Sequence, residues 1–206
     1  MEPVILTTER LLLRPFEASD AATVYAACQE PDIPRWTSIP SPYGFEDAEL
    51  FTGTTSPEGW HTDTSYSFAV LSRSDGCLVG SMGLIRLDRL HPPERQAELG
   101  YWTAKEHRGK GYTVEAARAV VHWAFADLGV ERMEWLAEAG NEGSQAVARR
   151  VGFRMEGTLR AKLIHAGTRR DAWIGSLLPS DLPREPEPGS TAAPATDATP
   201  YLPYQG

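Results

Sequence analysis

Residues 96–113 read QAELGYWTAKEHRGKGYT, and this stretch decides how the rest of the chain is organised. Residues 96–102 have the aromatic and aliphatic content of a β-strand, in which Gly100 predicts a bulge or a close backbone approach. Residues 108–111, RGKG, predict a glycine-rich loop, and the alanine-rich residues 115–125 predict a helix. Glycines directly before a helix let several backbone N–H groups point at one spot, where the helix dipole is positive. The stretch therefore predicts a strand, a phosphate-binding loop and a helix in succession.

Two common nucleotide-binding loops do not match this stretch. A P-loop requires Ser or Thr after Gly-Lys, but Gly111 follows Lys110. A dinucleotide fingerprint requires a third glycine three positions after Gly111, where Val114 stands. The spacing that remains is Arg-x-x-Gly-x-[Gly/Ala], which starts at Arg108 and has Thr113 in its last position. It resembles the pyrophosphate-binding loop of the GNAT acyltransferases, and the alternative is an ordinary glycine turn with two solvated cations.

A second motif lies in residues 141–153, NEGSQAVARRVGF. Asn141 and Ser144 are three residues apart, so they share one face near the start of a predicted helix. The motif resembles the GNAT segment in which an Asn contacts the pantetheine arm or the acceptor; the alternative is that both residues only cap the helix. The opening residues 8–15, TERLLLRP, resemble the Rim branch, whose named members acetylate the N-termini of ribosomal proteins. The resemblance to the GNAT family covers residues 8–182.

The predicted order of elements is β-α-α-β-β-β-α-β-α-β-β, which indicates an α+β protein. Strands are predicted over residues 10–14, 65–71, 78–86, 96–102, 132–138, 153–165 and 168–178, and helices over residues 19–29, 45–51, 115–125 and 141–151. The proline-rich residues 31–44 are expected to be extended without regular pairing. As in the GNAT fold, we expect a mixed, mostly antiparallel central sheet flanked by helices.

Composition limits the domain organisation and the class of partner. A chain of 206 residues is long enough for one domain, which we place at residues 1–182; the Pro/Ala/Thr-rich residues 183–206 predict a disordered tail. The net charge of −8 argues against nucleic acid as a partner. No apolar run is long enough to span a membrane and no signal peptide is recognisable, so we expect a cytoplasmic protein. Two cysteines and five histidines show no metal-ligand spacing, and no metal is predicted.

The family resemblance also implies which residues meet the substrates. The residues expected to bind acyl-CoA are Tyr101, Trp102, Thr103, Arg108, Gly109, Lys110, Gly111, Tyr112, Thr113, Asn141 and Arg150. Backbone N–H groups around Gly100 to Trp102 are expected to stabilise the carbonyl oxygen. The residues expected to line the acceptor side are Arg35, Trp36, Tyr43, Trp60 and His61, although aromatic residues in proline-rich loops are as often local packing.

Glu98 and Ser144 are the expected catalytic pair. A carboxylate at Glu98 can act as the general base for the amine, directly or through water; the alternative is an exposed charge at a strand edge. Many GNAT enzymes place a general-acid Tyr four residues before the glycine of Gly-Phe, but Ala148 stands there. Ser144 is the best substitute, as in Rim-like enzymes, and water is the alternative proton donor.

We therefore expect an N-acyltransferase that moves an acyl group, most simply acetyl, from coenzyme A to a primary amine by direct attack in a ternary complex. The acceptor is a protein N-terminus, a lysine or a small-molecule amine, and the acidic net charge mildly favours a cationic one. The alternative is a non-catalytic acyl-CoA-binding module, which shares the phosphate loop but does not need Glu98 or Ser144. The sequence leaves open which acyl chain is preferred and whether the protein forms a homodimer.

Overall fold

The computed structural model describes residues 1–182 and Tyr201, so the predicted tail at 183–206 lies outside the described residues apart from that tyrosine. Within them, one sheet has the strand order β1-β2-β3-β4-β5-β6-β8-β7. The strands are β1 Leu6–Thr7, β2 Leu11–Pro15, β3 Tyr66–Ser72, β4 Leu78–Ile85, β5 Gln96–Thr103, β6 Arg132–Glu138, β7 Arg154–His165 and β8 Thr168–Leu177. The helices are α1 Ala21–Cys28, α2 Asp32–Trp36, α3 Phe45–Leu50, α4 Ser56–His61, α5 Tyr112–Ala126 and α6 Glu142–Val151.

The sheet is mixed but mostly antiparallel, which confirms the predicted fold class. Its described neighbours pair antiparallel except β5 and β6, which run parallel. A parallel pair requires a crossover connection, and α5 provides it between these two strands. The crossover brings the N-terminus of α5 next to the end of β5.

Side-chain alternation along β5 divides the core between two faces of the sheet. Ala97, Leu99 and Tyr101 point into the main core beneath α5 and α6. Trp102 points the other way and packs with the smaller cluster around α1. The residues that α5 buries in the main core are Ala116, Ala117, Val120, Val121, Trp123 and Ala124. Most of these side chains are small, so the helix backbone lies close to the sheet.

The strands β5 and β6 are paired for only part of their length. The ladder joins residues 96–98 to residues 132–134 and ends at Glu98 and Glu134. Both strands continue beyond this point, β5 to Thr103 and β6 to Glu138. Residues 99–103 still pair with β4 and residues 135–138 with β8, but not with each other, and we call these two segments the fork. On this side, the backbone of residues 99–103 has no strand partner within the described part of the chain.

Three predictions about local structure are wrong. Residues 31–44 are not all extended, because α2 forms there; Pro34 falls in its first turn, where the missing N–H has no intrahelical partner to lose. The helix predicted to stop near residue 51 continues through a π-helical turn into α4. Gly100 marks neither a bulge nor a close approach: the β4–β5 register is unbroken, and an added Cβ would lie 3.6 Å from Ile85, an ordinary contact.

Glu115, in the first turn of α5, ties this helix to the chain just before β2. Its carboxylate accepts hydrogen bonds from Thr8 Oγ1 at 2.6 Å, from the Arg10 backbone N–H at 3.0 Å and from Arg10 Nε at 2.6 Å. Burial acts to raise the pKa of Glu115, but these hydrogen bonds outweigh it and hold the pKa below its ordinary value. The charged form is therefore the one that the fold stabilises.

We expect Glu115→Gln to lower the free energy of unfolding at pH 7 by about 1–3 kcal/mol, because hydrogen bonds to a charged carboxylate are stronger than those to an amide. The folded-state pKa is depressed, so this stabilisation is fully present well above the ordinary value of 4.5 and is lost as the pH falls through the folded-state pKa. Urea denaturation of both proteins along this pH range measures the difference.

The matched control is Glu46→Gln, which removes an exposed first-turn glutamate of α3 that has no side-chain partner among residues 1–182 and 201. It should change stability by less than about 0.5 kcal/mol. A stability loss for Glu115→Gln that stays constant down to acidic pH would contradict the role given to its charge.

Candidate active site

The loop between β5 and α5 presents backbone donors without acceptors. Gly109 and Gly111 have φ angles of 74° and 81°, in the left-handed region that glycine adopts without strain. Among residues 1–182 and 201, the backbone N–H groups of residues 109–114 have no hydrogen-bond acceptor. They lie at the positive end of a helix of 15 residues. The loop is therefore built to receive an anion of the size of a phosphate.

Cationic side chains surround this loop. Arg10 Nη1 donates to the Lys110 carbonyl oxygen at 3.0 Å, and the Arg10 guanidinium lies 4.7 Å from the centroid of the Tyr112 ring. A groove of about 540 Å³ runs from Gly111 along α5, and Arg118 lies in its wall. A ligand that places an anion in the loop thus has room and positive charge beside it.

Arg108 is engaged with acidic residues. Its Nη1 donates to Asp32 Oδ2 at 3.0 Å and its Nη2 to Glu30 Oε2 at 2.7 Å, while Nε donates to the Thr103 carbonyl oxygen at 3.1 Å. The guanidinium therefore ties the loop to the start of α2 and has its charge balanced there. The Thr113 hydroxyl is also paired, with Thr103 Oγ1 at 2.7 Å.

Glu98 is a buried carboxylate at the base of the fork, and not an exposed edge charge. It is 8% exposed, and its Oε2 forms an ion pair with Arg86 Nε at 2.6 Å that lacks hydrogen-bond geometry. Burial raises the pKa of Glu98 above its ordinary value; Arg86 and Lys162 oppose this rise, and the neighbouring Glu134 adds to it. A carboxylate with a raised pKa is a stronger base than an exposed one.

Ser144 belongs to a hydrogen-bonded network on α6. The Trp135 indole N–H donates to Ser144 Oγ at 2.9 Å. The Tyr101 phenol oxygen lies 3.0 Å from Ser144 Oγ and donates to the Ser144 carbonyl oxygen at 3.0 Å. Burial raises the pKa of Tyr101 to about 12, so this phenol keeps its proton at neutral pH. Two hydroxyl groups, and not one, are thus available as proton donors at this place.

Glu98 and Ser144 reach the fork from opposite faces of the sheet. Alternation along β5 directs Glu98 away from the face that carries Leu99 and Tyr101. Ser144, which contacts Tyr101 and Trp135, lies on the Tyr101 face. A reacting group in the fork would therefore have the carboxylate on one side and the two hydroxyls on the other.

The two remaining donor-side residues lie at opposite ends of α6. Asn141 is the N-cap, and its Oδ1 accepts a hydrogen bond from the Ser144 backbone N–H at 3.1 Å. This capping role was the alternative given above, and it places the side chain at the end of β6. Arg150 lies in the last turn of α6, where its carbonyl oxygen accepts a hydrogen bond from Arg118. This contact places the backbone of Arg150 beside Arg118, which lies in the wall of the groove that includes Gly111.

Two of the five acceptor-side residues lie at the fork. Arg35 Nη2 donates to Glu138 Oε1 at 2.9 Å, at the end of β6, and its guanidinium lies 4.0 Å from the centroid of the Trp36 ring. Trp36 also lies against the β6–α6 turn, since a Cβ at Gly140 would be 4.0 Å from it. Hydrogen bonds from Arg35 hold the pKa of Glu138 below its ordinary value.

The other three residues lie elsewhere. Trp60 is 1% exposed and packs in the main core against Tyr66, with ring centroids 4.7 Å apart. His61 is exposed at the end of α4. Tyr43 packs against the smaller core cluster, and burial raises its pKa to about 12. Trp60 is therefore a core residue, whereas Tyr43 packs against the same cluster as Trp102 of the fork.

Sequence reasoning missed the side-chain role of Tyr101 and the partners of Glu98 and Glu138. Glu98 on β5 pairs with Glu134 on β6, and Glu138 lies four residues further along β6. The three carboxylates are therefore on one face of the sheet. Acidic residues at every fourth position of a half-buried strand are a readable signal. No sequence pattern indicates that Arg86 pairs with Glu98, because Arg86 has a left-handed backbone, with φ of 56°, that the sequence does not predict.

Residues 1–182 and 201 contain no cluster of three or more His, Cys, Asp or Glu side chains that would hold a metal ion. No helix in this part of the chain has the length and apolar character of a membrane span.

The relatives of this chain include proteins named as acetyltransferases. YdaF from Bacillus subtilis is 42% identical over 104 residues, which are 50% of this chain and 55% of YdaF. The ribosomal-protein-serine acetyltransferase of Escherichia coli is 33% identical over 79 residues, 38% of this chain and 44% of that protein. The chain thus spans about half the length of these two relatives.

A solved structure shares the fold. The microcin C7 self-immunity acetyltransferase MccE, determined in complex with acetyl-CoA and AMP, superposes with a TM-score of 0.74 at 20% identity, covering 83% of this chain and 93% of MccE. The family sequence model described as acetyltransferase (GNAT) domain matches residues 10–154. This match includes β2 to α6 and the glycine loop. The chain therefore belongs to the GNAT acetyltransferase family.

Proposed function

We propose that this protein is an N-acetyltransferase that moves the acetyl group of acetyl-CoA to a primary amine within a ternary complex. One observation carries the proposal: the backbone N–H groups of residues 109–114, at the start of α5, have no acceptor in the described part of the chain. Coenzyme A carries a diphosphate, which is the kind of anion that such a loop receives. The acetyl-CoA bound to MccE, which has the same fold, supports this choice of donor.

The fork is the place for the thioester. The pantetheine arm would run from the glycine loop along the unpaired edge of residues 99–103, with Asn141 at the opposite strand. Backbone N–H groups of this edge have no strand partner on the β6 side. They would stabilise the negative charge that develops on the carbonyl oxygen.

The two faces of the fork divide the proton transfers between them. The amine nitrogen attacks the thioester carbon and loses a proton to Glu98, directly or through one water. When the C–S bond breaks, the sulfur takes the electron pair, and Ser144 or Tyr101 lies on the far side of the sheet to provide a proton. The hydroxyl group that donates this proton then takes up a new proton from solvent.

The alternative function, an acyl-CoA-binding module without catalysis, explains fewer observations. Binding alone does not require a buried carboxylate at Glu98, and burying a carboxylate costs stability. It also does not require the Ser144–Tyr101 pair beneath the fork. The name of the Escherichia coli relative supports a protein N-terminus as the acceptor, among the other primary amines. Measuring CoA release with acetyl-CoA and a panel of amines separates the two functions.

We expect Gly111→Val to weaken acetyl-CoA binding by at least tenfold in titration calorimetry. A branched side chain at this position would project into the cradle, and the backbone there has a left-handed φ of 81°. The control is Gly76→Val, in the β3–β4 hairpin, where φ is 74° and an added Cβ meets nothing within 4 Å. Both variants carry the same backbone strain, so only the loss at Gly111 reports on the cradle.

Equal affinities in the wild type, Gly111→Val and Gly76→Val would contradict the phosphate-loop assignment. Circular dichroism of each variant checks that the fold is intact.

We expect Glu98→Gln to reduce kcat by roughly 10²-fold, the size of a lost general base, with little change in acetyl-CoA affinity. A base must be deprotonated, so the wild-type rate should fall as the pH drops through the raised pKa of Glu98, and the variant should lose this acidic limb. The matched control is Glu134→Gln, the register neighbour whose charge raises the pKa of Glu98. It should keep activity and move the acidic limb to lower pH.

Stopped-time assays of CoA release across pH measure both effects. If Glu98→Gln retained the acidic limb at its wild-type position, another group would be the base.

A further inference from the structure

The hairpin formed by β7 and β8 has a charge opposite to that of the whole chain. Residues 159–172 read LRAKLIHAGTRRDA, in which Arg160, Lys162, Arg169 and Arg170 stand against one acidic residue, Asp171. The chain as a whole has a net charge of −8. The side chains of Arg160 and Lys162 have no hydrogen bond or ion pair to any residue among 1–182 and 201. This hairpin is therefore a local source of positive potential.

The end of the hairpin contacts the end of β6 on the Glu98 face of the sheet. Glu138 pairs with Ala172 in the sheet register, so Arg170, two residues from Ala172, points to the Glu138 face. Arg170 Nε is 4.0 Å from Glu138 Oε1. His165 Nδ1 lies 3.0 Å from Glu138 Oε2, and His165 Nε2 lies 3.1 Å from the Pro34 carbonyl oxygen. These contacts fix the hairpin to the end of β6 and to α2.

The charges on this face do not balance. Glu98 is paired with Arg86, Glu134 and Glu156 share Arg132, and Glu138 is paired with Arg35. The Asp171 carboxylate accepts the Ala161 backbone N–H at 2.8 Å. Arg170 contacts Glu138, which Arg35 also contacts. The positive charge of Lys162 acts to lower the pKa of Glu98.

We propose that the acceptor carries an anionic group, a carboxylate or a phosphate, close to its amine, and that Lys162 and Arg170 bind this group at the fork. The inference rests on the proposed function, because it assumes that the amine reaches Glu98 from this face. It replaces the expectation of a cationic acceptor, since potential at a site depends on the nearest charges more than on the net charge.

The same two cations also suit the chemistry. An ammonium ion brought beside positive charge loses its proton more readily, which favours the neutral amine that attacks the thioester. A polycationic acceptor would be repelled, because it offers no anion in return. Selectivity for an anionic amine and activation of that amine thus have a common cause.

The experiment compares three peptides that differ only after a common N-terminal serine: Ser-Glu-Glu-Gly-Tyr, Ser-Gln-Gln-Gly-Tyr and Ser-Lys-Lys-Gly-Tyr. We expect kcat/KM at low salt to fall in that order, by about tenfold or more between the first and the last. The difference should shrink in 1 M salt, where the screening length is about 3 Å. Phosphoethanolamine against ethanolamine tests the same chemistry in a small molecule and shows which source of the anion is preferred.

Variants assign the effect to the hairpin. Lys162→Gln combined with Arg170→Gln should raise KM for the acidic peptide about tenfold, leaving KM for the neutral peptide near wild type. Arg149→Gln removes an exposed cation on α6, which has no partner among the described residues, and should change neither value.

The outcomes separate this inference from the proposed function. Turnover with equal rates for the three peptides, or with the lysine peptide fastest, overturns the inference and leaves the acetyltransferase standing. An acidic preference that survives the double substitution also overturns it, because other residues would then bind the anion. Acetyl-CoA binding with no turnover of any amine overturns both.

Discussion

The incomplete pairing of two parallel strands is the constraint on which the rest of the site depends. β5 and β6 share a ladder only up to Glu98 and Glu134; beyond this point β5 pairs only with β4, and β6 only with β8. Backbone groups that a longer ladder would have used stay free on the inner edge of β5. The strand ends also bring the N-termini of α5 and α6 to the same edge of the sheet, so the glycine loop and Asn141 lie at the two tips of the fork.

The fork also explains why two titratable groups with different environments face one space. Glu98 lies on the α2 side, where burial raises its pKa, and Tyr101 lies on the α6 side, where burial raises its pKa to about 12. One group is thus suited to accept a proton and the other to hold one. A continuous sheet would keep them apart, because side chains on opposite faces are separated by backbone.

Much of the fold follows from local patterns, and the site follows only in part. The strand at residues 96–102 and the helix after RGKG were predictable because alternation, helix propensity and glycine chemistry agree there. The helix α2 was not, because Pro34 in a first helical turn looks the same in a sequence as proline in an extended segment. Trp60 shows the same limit for the site: an aromatic residue in a loop-like stretch gives no sign of whether it faces the core or a ligand.

The ion pairs of the site lie beyond sequence reasoning, because they join distant elements. Arg108 with Glu30, and Arg35 with Glu138, are far apart in the chain and meet only once the helices are docked. Burial is equally invisible in a sequence, and it decides whether Glu98 is a base or a surface charge.

Hydrogen–deuterium exchange measures whether the N–H groups of residues 109–114 bind the diphosphate of the donor. Saturating acetyl-CoA should slow exchange at these amides, while S-acetylpantetheine, which lacks the diphosphate, should leave them unchanged. If acetyl-CoA saturates the protein and these amides exchange as fast as before, the diphosphate binds elsewhere and the glycine loop is not its site.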